Sequence, residues 1–174
     1  MKILSAFVVF AVLLAQFGCS TYNIDRIDNN PGPKLAPSDS AYVCLCEDGR
    51  YNSKVYQGSG LVTTQIIFDK LSKHLSQVEK GQDPETCDEA LNTALYSGHR
   101  YLICPSILQW EDHTGQIDIR DKLTIKIIMI DTLNGKKIDD VIINGKSRLM
   151  SHGTEKPQDL LATPIQAYVD SLFQ

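Results

Sequence analysis

The chain has 174 residues, 17 Lys+Arg against 21 Asp+Glu, and a formal net charge of −4; it is 43% hydrophobic and 22% charged. With no Lys/Arg cluster, an acidic chain of this kind lacks the concentrated basic face that neutralises nucleic-acid phosphates, so nucleic acid is excluded as a partner. The length bounds the fold to one ordinary domain beside any targeting segment.

Residues 1–18 open with Lys2 and continue through an apolar run, Ile3 to Leu14. About a dozen apolar residues are too few to span a bilayer but suit an export signal. The signal ends at Gly18-Cys19-Ser20, which resembles a bacterial lipoprotein lipobox. That resemblance implies cleavage before Cys19 and attachment of diacylglycerol and acyl chains such as palmitate; the alternative is an ordinary cleaved signal peptide with an incidental cysteine. Cleavage removes Lys2 and no acid, so the mature charge becomes 16 − 21 = −5. Membrane attachment would then come from the lipid rather than from charge. Ser20 is not Asp, which in Gram-negative lipoproteins implies sorting to the outer membrane, with the domain facing the periplasm.

Residues 19–40 comprise the lipidated cysteine and a stretch rich in Asn, Asp, Pro and Ser with no hydrophobic period. This composition predicts a flexible tether, and 41–174 is left as the globular domain. Ala41 to Cys46 reads as a buried strand, with Tyr42, Cys44 and Cys46 on one face. Gly58-Ser59-Gly60 then opens a helix, with Ser59 as its cap and an apolar stripe of Leu61, Thr64, Phe68, Leu71, Leu75 and Val78 ending at Gly81. Asp83-Pro84-Glu85 predicts the start of a second helix, which turns Cys87, Leu91, Ala94 and Leu95 inward. His99 to Gln109 reads as a strand with Pro105 at an edge, bulge or end. Lys122 to Ile130 alternates as a strand and pairs, through an Asn134-Gly135 hairpin turn, with a partner from Lys137 to Leu149. Pro157 to Phe173 is helical, with Leu161, Ile165, Tyr168 and Leu172 on one face and a break at Thr163-Pro164. The order β-α-α-β-β-β-α predicts an α+β or α/β domain: one mixed sheet, helices mainly on one face, and the first two strands parallel.

Five positions are candidates for ligand binding: Ser59 at the glycine turn, and Trp110, Glu111, Asp112 and His113. The helix-opening amides at Ser59 would suit an anion. Two carboxylates and an imidazole would suit acid–base work or a divalent metal, yet neighbouring strand residues point to opposite faces. A strand end with Trp110 packed on the sheet is therefore the favoured reading. The four histidines, at 74, 99, 113 and 152, are scattered, and no HExxH, paired CxxC or GxSxG motif is present. No catalytic residue, metal site or cofactor is predicted, and the domain reads as a non-enzyme.

Cys44, Cys46, Cys87 and Cys104 remain after lipidation. In an oxidising compartment they allow up to two disulfides in three connectivities; equally, they suit small buried core positions. A bond from Cys44 or Cys46 to Cys87 or Cys104 is the pairing expected if a disulfide forms.

Several motifs carry a family likeness: Gly58-Ser59-Gly60 before the long helix, Pro105-Ser106-Ile107-Leu108-Gln109-Trp110-Glu111-Asp112, Gly145-Lys146-Ser147 after the Asn-Gly turn, and Lys156-Pro157-Gln158-Asp159-Leu160-Leu161. With these the chain resembles an uncharacterised family of Gram-negative lipoproteins, a domain of unknown function. It departs from the family pattern after Asp112, where it reads His113-Thr114-Gly115-Gln116. In fold, the order of elements is similar to small α/β domains of envelope-assembly lipoproteins: penicillin-binding-protein activators, the curli secretion lipoprotein and the N-terminal domain of the Tol translocation protein. The resemblance implies a membrane-anchored accessory domain with an envelope protein partner. The alternative is a small-ligand or glycan-binding lipoprotein supporting surface-polysaccharide export.

Overall fold

The computed structural model describes residues 20–27, 33–113, 120–148 and 156–174. The signal at 1–18, the lipidation position Cys19, and the Thr114-Gly115 turn all lie outside them.

The clearest alternation in the sequence builds the centre of the molecule. In β7 (Lys122–Asp131), Leu123, Ile125, Ile127 and Met129 are buried on one face, while Thr124, Lys126, Ile128 and Ile130 are partly exposed on the other. It pairs antiparallel with β6 (Tyr101–Glu111) and β8 (Lys136–Lys146). The β7–β8 connection is a four-residue loop, 132–135, with Gly135 at φ 65°, rather than a two-residue turn. β2 (Ser40–Leu45) lies parallel to β6 and to β5 (Gln77–Pro84), and β1 (Thr21–Arg26) pairs antiparallel with β8. One mixed sheet results, in the order β1-β8-β7-β6-β2-β5. Two short strands, β3 (Arg50–Tyr51) and β4 (Lys54–Val55), form a separate ribbon.

Among the described residues, three helices cover this sheet. α1 (Ser59–Leu71) and α3 (Ala162–Ser171, entered through a 3-10 turn at Pro157–Leu160) pack on the face that carries Leu123, Ile125 and Ile127, closing the main core around Ile67, Leu71, Leu161, Ile165 and Tyr168. α2 (Cys87–Tyr96) lies on the opposite face, where Ala90 and Ala94 meet Tyr42, Cys44, Leu102 and Cys104. Two of the three helices thus share a face, as the element order predicts.

Several local expectations are corrected. The stretch expected to be a tether carries β1, a polar edge strand with three exposed residues at its start, which is why it shows no hydrophobic period. The helix ends at Leu71 and Leu75 lies beyond it; Val78 and Gly81 belong to β5, the other edge strand, whose mostly polar side chains left no pattern to read. Pro84 closes β5, and Thr86 caps α2 instead, its hydroxyl accepting from the Glu89 N–H while the Glu89 carboxylate accepts from the Thr86 N–H. Leu61 and Leu95 are about half exposed, and Ile67 and Ala90 take the inward places. Pro105 sits within β6 beyond Ile103, the last residue paired with β2, so no ladder bond is lost on that side.

Candidate functional site

The Gly58-Ser59-Gly60 turn is shaped by backbone needs. Gly58 is the N-cap at φ 82°, a conformation costly to other residues, and a side chain on Gly60 would meet the Cys46 carbonyl oxygen at 2.2 Å. Ser59 lies inside the helix and is buried; its hydroxyl accepts from the Gly49 N–H at 2.8 Å and does not cap α1. The helix-opening amides are served by the chain itself, since the Asp48 carboxylate accepts from the Gly58 and Gly60 N–H groups at 3.1 and 2.9 Å. Asp48 is the functional side chain that motif reading missed. Its signal was an acid ten residues upstream, too far for a local capping pattern.

Trp110, Glu111, Asp112 and His113 do not converge. Trp110 is 4% exposed and belongs to the main core. Glu111 turns to the other face and is buried among Gln109, which donates to its carboxylate, His113 Nε2 at 3.3 Å and Lys122 Nζ at 3.3 Å. Burial raises the Glu111 carboxyl, but its hydrogen bonds with Gln109, His113 and Lys122 outweigh burial and leave it below the usual carboxylate range. A base held ionised and surrounded by donors is poorly placed to take a proton from a substrate. The His113 N–H donates to Asp121 at 2.6 Å, and the Asp112 N–H donates to the Tyr56 hydroxyl at 3.4 Å. Ser59, Trp110 and Asp112 do border one shallow depression of ≈ 430 Å³, together with Tyr56, Lys54 and Lys156.

The described cysteines form one disulfide, Cys87–Cys104, with Cα atoms 5.9 Å apart, and two buried thiols, Cys44 and Cys46. The expected pairing through Cys44 or Cys46 is therefore corrected: α2 lays its first residue over β6, whereas Cys46 follows the last residue of β2 and turns to α1, near Gly60 and Thr64. Burial pushes the Cys44 thiol up to about 12 and the Cys46 thiol up to about 11, so neither is a ready nucleophile near neutrality. Cys44, Cys46 and the disulfide line a cleft of ≈ 630 Å³ at the carboxyl ends of β2 and β5. Of its rim carboxylates, Glu85 accepts from the Tyr42 hydroxyl at 2.7 Å, Glu89 caps α2 and Asp48 serves the α1 amides, while Glu47 is exposed. Among the described residues, no group of three or more His, Cys, Asp or Glu could hold a metal ion, and no helix is long and apolar enough to cross a membrane.

At the other end of the sheet, three large apolar side chains are exposed beside Asn134, Lys136 and Lys137. Tyr96 is 89% exposed, Leu133 73% and Leu95 48%. Thr132 ties the β7–β8 loop to the segment that follows α2, its hydroxyl donating to the His99 carbonyl at 2.7 Å and its N–H to the Arg100 carbonyl at 3.2 Å. The three apolar side chains thus sit on connected backbone at one end of the domain.

Residues 33–172 match the family described as Domain of unknown function (DUF4823), and the chain belongs to that family. Its fold is similar to that of the PelC dodecamer from Paraburkholderia phytofirmans, at 17% identity and a TM-score of 0.66, over 88% of this chain and 97% of that one. It is also similar to XCC0632 from Xanthomonas campestris, of family DUF330 (10% identity, TM-score 0.53, 81% and 86% covered). A further likeness is to the hypothetical protein CT253 from Chlamydia trachomatis (9%, 0.51, 77% and 95% covered). At these identities the likeness shows the fold alone. No curated protein matches the chain.

Proposed function

We propose that this member of the DUF4823 family is a non-enzymatic lipoprotein of the outer membrane, anchored through Cys19, whose periplasmic domain binds an envelope protein. The observation that carries the reading is the apolar end formed by Leu95, Tyr96 and Leu133. Large apolar side chains gathered on a surface mark contact with another macromolecule, and tyrosine is enriched in protein interfaces. The polar side chains suited to chemistry are already engaged: Glu111 by Gln109, His113 and Lys122, and Asp48 by the α1 amides.

The test is site-specific photocrosslinking in living cells from Tyr96 and Leu133. A discrete adduct formed from these positions, and not from the exposed Asn52 on the β3–β4 ribbon, supports the reading. Adducts only with bulk envelope proteins, identical from all three positions, count against it. The similar PelC structure is a dodecamer, so a second copy of this chain is the competing occupant, and adducts of twice the chain's mass would identify it.

A second reading, a small-ligand or glycan-binding domain, draws on the depression beside Tyr56, Asp112 and Lys156. Thermal shifts with envelope sugars that vanish in Lys156→Ala would favour it.

A further inference from the structure

The register of β1 fixes where an anchored chain enters the sheet. Thr21 pairs with Lys146, and Lys146 pairs with Lys122, which lies opposite Glu111: one row of residues across four strands. Cys19 precedes Thr21 by two residues, which reach at most about 7 Å. A lipid on Cys19 therefore leaves no room for a spacer, and this end of the sheet is brought to the membrane surface. A flexible tether of the whole 19–40 stretch would instead have allowed roughly 25 Å.

The chemistry of this end matches a surface of phosphate headgroups. Lys122 and Lys146 stand on neighbouring strands directly opposite each other; Glu111 lies 3.3 Å from Lys122, and an anion outside the sheet would further relieve this like-charged pair. Lys54 and Lys156 are exposed beside the depression at the same end. The carboxylates interleaved with them, Glu111 and Asp121, are buried. Exposed acids lie on the α2 side, where Glu47 and Glu89 border the large cleft, and also at this end, where Asp159 accepts from the Lys156 N–H at 2.9 Å and the partly exposed Asp112 borders the depression. Below the lysine row the sheet is open: Asn23, Asn144, Thr124 and Gln109 line a groove of ≈ 400 Å³, with the Thr124 hydroxyl 2.9 Å from Asn144 Oδ1 and 3.2 Å from Gln109 Oε1. The formal charge of the chain is negative, and exposed lysines also stand at the distal end, Lys136 and Lys137, so it is the two-residue link from Cys19 to Thr21 that selects this end for the membrane.

We infer that the domain sits directly on the membrane, with the Thr21–Lys146–Lys122 end against anionic phospholipid headgroups and the Leu95–Tyr96–Leu133 end pointing away. The inference rests on the lipid-anchor reading given above. Nine residue steps separate Lys122 from Asp131, so the two ends lie about 30 Å apart, wider than the headgroup layer. The anchored end would thus fix orientation, and the distal end would be presented to a partner.

The test uses the full lipidated chain in vesicles of phosphatidylethanolamine and phosphatidylglycerol that carry a headgroup-linked quencher. A fluorophore is placed at Leu108→Cys near the anchored end or at Leu133→Cys at the distal end. Both residues are more than half exposed, and the native thiols are buried. The expected result is quenching several-fold stronger at 108 than at 133. The contrast should shrink in Lys122→Glu/Lys146→Glu and in the independently placed pair Lys54→Glu/Lys156→Glu. Equal quenching at the two sites, or a contrast indifferent to both charge reversals, would overturn the inference. Mass spectrometry of the Cys19 peptide reads the anchor separately. An unmodified Cys19 overturns the parent reading, whereas an acylated Cys19 without the contrast overturns only the seating.

Discussion

Arg26 on β1 grips Asp139 on β8, with Nε 3.2 Å from Oδ1 and Nη2 3.4 Å from Oδ2, and the same Nη2 donates to Ser171 of α3 at 3.0 Å. Asp139 is buried, and Arg26 is its cation. The contact joins the first strand of the described chain to the last helix. Arg26→Ala should therefore cost about 3–5 kcal/mol, because it leaves a buried carboxylate unpaired. Urea unfolding measures this, and a loss under about 1 kcal/mol would make β1 an appendage to the fold.

The disulfide gives a prediction of number as well as stability. Under denaturing, non-reducing conditions the lipidated protein should present two free thiols, Cys44 and Cys46. Cys87→Ser/Cys104→Ser should lower stability by about 3 kcal/mol, the loop-closure value for the 17-residue separation. Four free thiols in the exported protein would contradict the pairing.

Alkaline pH should weaken the domain. Burial raises the Cys44 thiol from 9.0 to about 12 and the Cys46 thiol from 9.0 to about 11, and burial with the Glu85 hydrogen bond raises the Tyr42 hydroxyl as well. In the unfolded chain these groups give up their protons first, so the unfolded state binds fewer protons above pH 9. Stability is then fully present below pH 9 and declines as pH rises towards 11 and 12. Thermal melts across this range should show the fall, and Cys44→Ala should flatten it.

Two glycines two positions apart should respond differently. Gly60→Ala drives a methyl into the Cys46 carbonyl and should cost about 3 kcal/mol or more. Gly58→Ala meets no atom within 4 Å and pays only for its left-handed backbone, about 1–2 kcal/mol. Equal costs would mean that the helix start relaxes away from β2.

What could be read from sequence follows burial. Strand β7 and helix α3 each bury one clean face, and their inward residues, Leu123 to Met129 and Leu161 to Leu172, are legible from period alone. Leu71 is likewise a core residue, 1% exposed, and Leu71→Ala should cost about 2–5 kcal/mol. The edge strands β1 and β5 escaped because a strand half in water carries polar side chains on both faces. The disulfide escaped because pairing depends on which face α2 covers, a tertiary choice that cysteine spacing does not encode. The separation of Trp110 from Glu111 was legible, as adjacent strand residues must diverge. The partners that satisfy Glu111 were only partly so: Gln109 and His113 share its face by alternation, but Lys122 arrives from another strand.

The central claim is a lipid-anchored domain that binds a protein partner, and in-cell crosslinking with mass spectrometry tests it most directly. The native protein would be compared with Cys19→Ala exported as a soluble form. A specific partner should be captured by the native protein and lost or strongly reduced in Cys19→Ala. No specific partner in either form, with Cys19 acylated, would contradict the account.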